Sequence, residues 1–220
     1  LHVGHVEKTG VGDSCRTPMI AGWKLKLLQS FRLYAVTDLQ EETPDFLRRT
    51  EGALKGGVDI VQLRSKTLSD QVLCRIGLKL RILAAKYRKL FIVNDRIDLA
   101  LACGADGVHL GQEDLPIAEA RRILRGRRLI LGKSTHSLAQ ARRAEREGAD
   151  YIGVGPVFRT PTKPGYAPVG LKLVRQVSRS VRIPFVAIGG IDASNVARVL
   201  RAGAKRVAVV LVEALPYIRR

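Results

Sequence analysis

Long apolar runs are missing from this 220-residue chain: no stretch approaches the ~20 residues that cross a bilayer, so no helical membrane span is expected. Cysteine is scarce too. Cys15, Cys74 and Cys103 are odd in number and lack CxxC spacing, which argues against a disulfide framework or a cysteine zinc site and makes a reducing cytoplasm the default compartment. Aromatics are only 5% of the residues, too few to interleave with basic side chains along a nucleic-acid-binding face. Acids number 20 against 38 Lys and Arg, giving a net charge of +18 that suits an anionic ligand. Most of that excess lies in runs such as Arg121-Arg122, Arg125-Gly126-Arg127-Arg128 and Arg142-Arg143-Ala144-Glu145-Arg146, which read as solvated helix faces. Methionine occurs once, at Met19, and residues 1–18 have no hydrophobic periodicity. They are expected to be disordered, within an N-terminal extension over 1–30, and they contain no apolar segment of the kind a secretory signal needs.

What is present from about Arg32 onward is an alternation of short β-branched runs with longer helical ones. The expected strands are Leu33–Thr37, Ile60–Leu63, Phe91–Val93, Val108–Leu110, Leu129–Gly132, Tyr151–Gly155, Phe185–Ile188 and Val207–Leu211. Nearly all their residues are apolar, as in parallel strands covered on both faces. Between them apolar residues recur every three or four positions, as in Val72, Leu73, Ile76, Leu80 and Leu83. Gly57-Val58-Asp59, Gly104-Ala105-Asp106 and Gly148-Ala149-Asp150, with Gly203-Ala204-Lys205 as a variant, read as helices stopped by a left-handed Gly before the next strand. Eight βα units in one domain over 31–220 predict an α/β fold, a (βα)8 TIM barrel of eight parallel strands with outer helices and a short eighth helix. An open doubly wound sheet is the runner-up.

Polar residues cluster where strands end, the rim on which such barrels carry their sites. Asp95 and Asp114 follow adjacent strands and supply hard oxygen ligands; two carboxylates suit Mg²⁺, which keeps waters and takes substrate phosphate. Helix N-capping is the competing explanation for each. Gln62, Arg64 and Lys66 share one side of an extended segment, and Arg64 and Lys66 offer a planar fork and a point charge for diphosphate oxygens. Asn94 and Ser134 could add neutral donors to the same anion. Arg159-Thr-Pro-Thr-Lys-Pro-Gly165 has the length and composition of a lid carrying Thr160, Thr162 and Lys163. Gly189-Gly190 is expected to end strand seven and open a helix, presenting backbone N–H groups to a phosphate. His109 reads as an interior histidine, whereas His136 stands nearer the rim. No covalent nucleophile is evident, so the rim suits a reaction in which diphosphate departs and a second phosphorylated substrate attacks.

Taken in order, Tyr34-Ala-Val-Thr-Asp38, Gln62-Leu-Arg-Ser-Lys66, Val93-Asn-Asp95, Gly107-Val-His-Leu-Gly-Gln-Glu-Asp114, Gly132-Lys-Ser-Thr-His136, Gly153-Val-Gly-Pro-Val-Phe158, Thr160-Pro-Thr-Lys163 and Ala187-Ile-Gly-Gly190 resemble the motifs of the thiamine phosphate synthase family. The resemblance implies a transferase that joins hydroxymethylpyrimidine diphosphate to hydroxyethylthiazole phosphate with release of diphosphate. It implies that Asp95 and Asp114 hold Mg²⁺, that Arg64, Lys66, Asn94, Ser134 and Lys163 grip the diphosphate, that Gln62 faces the pyrimidine, and that Thr160, Thr162 and the Gly190 amide bind the thiazole phosphate. Arg64, Lys66, Ser134 and Lys163 would carry the catalysis. The chain departs from the family pattern at Ser65, where Glu is usual, and at Leu211, where strand eight usually ends in Ser. The short tail Glu213–Arg220 is expected to truncate the closing helix or to leave it for a second copy in a homo-oligomer. Two rivals are a thiazole tautomerase of the same superfamily, with His136 as acid–base residue, and a basic nucleic-acid-binding barrel.

Overall fold

A computed structural model describes residues 22–43, 45–160, 165 and 167–211. The expectations for residues 1–18, for Thr162 and Lys163, and for the tail Glu213–Arg220 lie outside them. Eight strands close a barrel in sequence order, each parallel to its neighbours. They are β1 (Leu33–Val36), β2 (Ile60–Leu63), β3 (Leu90–Asn94), β4 (Gly107–Leu110), β5 (Ile130–Thr135), β6 (Tyr151–Val154), β7 (Phe185–Ile188) and β8 (Val207–Val210). Helix α1 (Gly22–Ser30) precedes them, and α2 (Phe46–Lys55), α3 (Asp70–Lys86), α4 (Ile97–Ala102), α5 (Ile117–Ile123), α6 (Leu138–Arg146), α7 (Gly170–Ser180) and α8 (Val196–Arg201) follow β1 to β7 in turn. The apolar runs behave as their composition demands, with every residue of β2, β4 and β6 buried.

Alternation along the strands divides the core in two. Tyr34, Ile60, Leu90, Ile92, Ile130, Tyr151, Val186 and Ala208 fill the barrel interior, while Ala35, Val61, Phe91, Val108, Leu131, Ile152 and Ala187 pack outward against the helices. The helices show the complementary face: in α6, Ala141 and Ala144 are buried, whereas Arg142, Arg143 and Arg146 are exposed. The interior column continues below the strands. Leu28 of α1 joins it, and the Phe31 ring stands edge-on to Tyr34 and Tyr151 at 6.2 and 6.4 Å between centroids. The segment expected to be part of an extension therefore closes the barrel floor.

The turn glycines adopt the left-handed conformation read from the sequence, with φ of 108°, 62°, 88° and 103° at Gly57, Gly104, Gly148 and Gly203. The acids after them have a job that periodicity does not reveal. Asp59 accepts from the Arg32 amide at 2.9 Å, Asp106 from Phe91 at 2.9 Å and Asp150 from Leu131 at 2.7 Å, so each carboxylate pins the start of a neighbouring strand. A cation completes each set: Lys89 at 2.7 Å, Lys24 at 2.5 Å and Arg121 at 2.6 Å, respectively. The Asp106 side chain is 1% exposed, so Asp106→Ala strands a buried N–H and the Lys24 ammonium. That loss should lower stability by about 3 kcal/mol, read as a reduced denaturation midpoint at unchanged slope.

β5 differs from the expectation by running on to Thr135. Thr135 pairs with Val154, and its hydroxyl donates to the Gly153 carbonyl at 2.8 Å, which keeps the chain extended. Lys133 and Ser134 are therefore strand residues on opposite faces, with Ser134 turned into the barrel.

Candidate active site

At the strand C-termini the interior column gives way to polar side chains around an open cavity. Gln62, Arg64, Asn94, Ser134, Thr160 and Gly190, all read from the sequence as ligand-binding, line it together with Tyr34, His109 and His136. Arg64 is 8% exposed, and its guanidinium is held by the Asp38 carboxylate. The Thr37 hydroxyl fastens the backbone beneath, accepting from the Arg64 amide at 2.8 Å and donating to the Arg64 carbonyl at 3.0 Å. Thr37 and Asp38, at the end of the first expected strand, thus serve to orient Arg64.

Below these groups a continuous hydrogen-bonded file crosses the barrel. The Gln62 amide donates to the Tyr34 hydroxyl at 2.8 Å, and the Tyr34 and Tyr151 hydroxyls lie 2.9 Å apart. Tyr151 is 3.0 Å from His109 Nδ1, and His109 Nε2 is 3.0 Å from Ser134 Oγ. Burial pushes both tyrosine hydroxyls well above the ordinary phenol range, so each keeps its proton. His109 is the interior, hydrogen-bonded histidine expected from its place in a strand. Room for it comes from Gly132, where an added Cβ would meet Tyr151 Cζ at 2.3 Å and His109 Nδ1 at 2.5 Å. Gly132→Ala should therefore destabilise the fold by about 2 kcal/mol through overpacking, measured by equilibrium unfolding in urea.

Asp95 and Asp114 stand just outside the cavity lining, at the ends of β3 and β4. Neither is a helix cap: the N-cap positions of α4 and α5 are Arg96 and Pro116. Asp95 instead adopts φ 61°, uncommon for a residue with a side chain, while its amide donates to the His109 carbonyl at 2.8 Å. Asp114 Oδ2 accepts from the Gly111 amide at 2.6 Å. Both carboxylates act on the Lys133 ammonium: burial pushes its pKa down, Asp114 and Glu147 push it back up, and Arg143 lowers and Asp95 raises it more weakly. Lys133 Nζ also donates to the carbonyls of Gly111 at 2.6 Å and Leu115 at 3.2 Å, bracing the loop that carries Asp114. Among the described residues no group of three or more His, Cys, Asp or Glu could hold a metal ion; a hard cation held by Asp95 and Asp114 alone would complete its shell with water and ligand oxygens.

Lys66, Ser65, the Gly189-Gly190 pair and Leu211 each sit in a way that the sequence does not show. Lys66 is exposed and outside the cavity lining, two residues beyond Arg64 on the rim. Ser65, where the resembled family has Glu, turns the chain locally by accepting from the amides of Thr67 and Leu68 at 3.2 and 3.0 Å. Gly189-Gly190 ends β7 but does not open a helix, because a turn over Asp192–Asn195 intervenes before α8. The pair serves instead for close approach: at Gly190, with φ 61°, a Cβ would lie 2.4 Å from the Arg159 carbonyl oxygen. Leu211, in the place of the usual Ser, is 6% exposed and joins the outer core.

The family model described as thiamine monophosphate synthase matches residues 33–212, the whole barrel from β1 onward. The chain belongs to that family. A thiamine-phosphate synthase of Gloeobacter violaceus is 50% identical over 205 residues, covering 93% of this chain and 56% of that protein. One from a Nostoc species is 50% identical over 197 residues, 90% of this chain and 55% of the relative. The chain thus spans about half the length of the curated relatives it matches. Among solved structures, a thiamine phosphate pyrophosphorylase from Pyrococcus furiosus superposes with a TM-score of 0.76 at 38% identity, covering 87% of this chain and 97% of that one. The cavity mouth and the paired carboxylates occupy the end of the family's barrel where such folds carry their sites.

Proposed function

We propose that the barrel joins hydroxymethylpyrimidine diphosphate to hydroxyethylthiazole phosphate, forming thiamine phosphate and diphosphate. The observation that carries this reading is one cavity mouth holding Arg64, Asn94 and Ser134, with a carboxylate pair beside it, in a chain of this family. The bond between the pyrimidine methylene carbon and the diphosphate oxygen breaks, and its electron pair leaves with the diphosphate. The thiazole nitrogen then gives its lone pair to that carbon, so no proton changes hands. Charge growing on the leaving oxygens needs donors already in place, because preorganised donors cost no reorganisation at the moment of reaction. Arg64, Asn94 and Ser134 supply them, joined by Lys66 from the rim and Lys163 from the loop after β6. Gln62 faces the pyrimidine, and Thr160, Thr162 and the Gly190 amide take the thiazole phosphate. Asp95 and Asp114 would hold Mg²⁺, which supplies charge neutralisation for the departing diphosphate.

Among the described residues no helix is long and apolar enough to cross a membrane, and we place this work in the cytoplasm, where Cys74 and Cys103 stay thiols. His136 is held at Nδ1 by the Gly155 carbonyl, and we assign it no acid–base role because the relatives compared are synthases and none of them is a tautomerase. The test is to mix the protein with both phosphorylated substrates, with and without Mg²⁺, and assay thiamine phosphate. Product only in the presence of Mg²⁺ is expected. No product in either mixture rejects the reaction, and turnover indifferent to Mg²⁺ removes the metal from it.

A further inference from the structure

The file Gln62–Tyr34–Tyr151–His109–Ser134 joins two sides of the cavity through residues up to 117 positions apart in sequence. Such a file has two continuous polarisations, in each of which every tyrosine hydroxyl accepts from one partner and donates to the other. In one direction the Gln62 amide donates to Tyr34, Tyr34 donates to Tyr151, and Tyr151 donates to His109 Nδ1. The imidazole then carries its hydrogen on Nε2 and gives it to Ser134 Oγ, leaving the Ser134 hydrogen to point into the cavity. In the other direction Ser134 donates inward to Nε2 and shows the cavity only lone pairs.

We infer that the file is a polarised relay running from Gln62 to Ser134, which fixes His109 as the Nε2–H tautomer and makes Ser134 an obligate donor to the anion at the mouth. The inference rests on the diphosphate reading of that mouth, since an anion is stabilised by a donor there and repelled by lone pairs. Two features support it independently. The Gln62 nitrogen is the atom that faces Tyr34. Both phenols retain their protons under burial, so the file has a hydrogen to pass at each step. The glycine at 132 keeps the Tyr151–His109 step short, because any side chain there would occupy the space between them. Tyr34, Tyr151 and His109 are thus positioning residues: none supplies a charge to the reaction, and together they set the direction of one hydroxyl. Polarisation along such a chain also strengthens its last donor.

Nitrogen-15 NMR of the full chain labelled at histidine, without substrate, tests this directly, with the His109 signals assigned by their loss in His109→Gln. The expected result is an unprotonated Nδ1 and a protonated Nε2. The opposite tautomer, or a doubly protonated ring at neutral pH, overturns the relay. Tyr34→Phe cuts the file between Gln62 and Tyr151 and should let the Nδ1-protonated tautomer appear, because Tyr151 is then free to accept from Nδ1; an unchanged tautomer would show that Gln62 does not set it, and this variant guards against a Tyr151 variant that fails to fold. In turnover, Tyr151→Phe and Ser134→Ala should each lower kcat about 10²-fold, with KM for the diphosphate substrate changed by less than about twofold and the double variant within about twofold of the worse single one. Losses that multiply would separate Tyr151 from Ser134 and overturn the coupling. Wild-type protein that makes no thiamine phosphate would count against the reaction proposed above, while the ring tautomer would still decide the relay.

Discussion

Replacing Asp95 and Asp114 together by Asn is expected to lower thiamine phosphate formation by more than about 10³-fold, because a metal that offsets leaving-group charge contributes several kcal/mol to the barrier. The fold should survive. Asn keeps a side-chain oxygen that can accept from the Gly111 amide, the bond Asp114 now makes at 2.6 Å. Asn also tolerates the left-handed backbone at 95 better than most residues do, where φ is 61°. The local cost falls on Lys133, whose ammonium loses two of the three carboxylates that oppose its burial and keeps Glu147. Its bonds to the Gly111 and Leu115 carbonyls remain to hold the loop. The measurement pairs initial rates across a Mg²⁺ titration with Mn²⁺ binding followed by electron paramagnetic resonance. Turnover and metal affinity both within about threefold of wild type, less than about 1 kcal/mol, would remove the pair from the metal site.

The barrel was legible in the sequence because its signals are local. A short β-branched run, a helical stripe and a Gly in the left-handed turn recur in each unit, and each is decided by neighbours within a few residues. Asp95 and Asp114 were legible for the same reason, standing just past two consecutive apolar runs. Other features depend on what strand closure brings together. Tyr34 and Tyr151 each look like an aromatic at the start of an apolar run, and nothing nearby marks them as hydroxyls bonded to one another. Lys133 sits in a segment read as loop; only the extension of β5 to Thr135 puts it on the face opposite Ser134, beneath the Asp114 loop. The pattern of period two would have found it, had the strand been carried three residues further. Asp59, Asp106 and Asp150 were read with the turns before them, whereas their carboxylates act on the strands beside them. Gly189-Gly190 was assigned to a helix start on the strength of a common barrel arrangement, and the turn at Asp192–Asn195 overrides it.

The same dependence on closure makes Arg64 the second site of large effect. Its guanidinium and the Asp38 carboxylate come from adjacent strand ends and are paired with each other, and on the proposed reading that guanidinium grips the diphosphate. Arg64→Ala therefore removes a cation and also leaves the Asp38 charge unmatched near the diphosphate. Loss of a preorganised donor alone is worth about 10²–10³ in rate, and the added repulsion should bring the fall in kcat/KM to at least about 10³. The strand end should hold, since Thr37 engages only the backbone of residue 64. Arg64→Lys should be milder, about 10–100-fold, keeping a charge without the planar fork that carboxylate and phosphate oxygens engage. The deciding variant is Arg64→Ala combined with Asp38→Asn, which should recover about tenfold over Arg64→Ala by removing the repulsion. If the double variant is no faster than Arg64→Ala, Asp38 does not act on the anion. If Arg64→Ala itself turns over within about tenfold of wild type, less than about 1.4 kcal/mol, the diphosphate is held elsewhere on the rim.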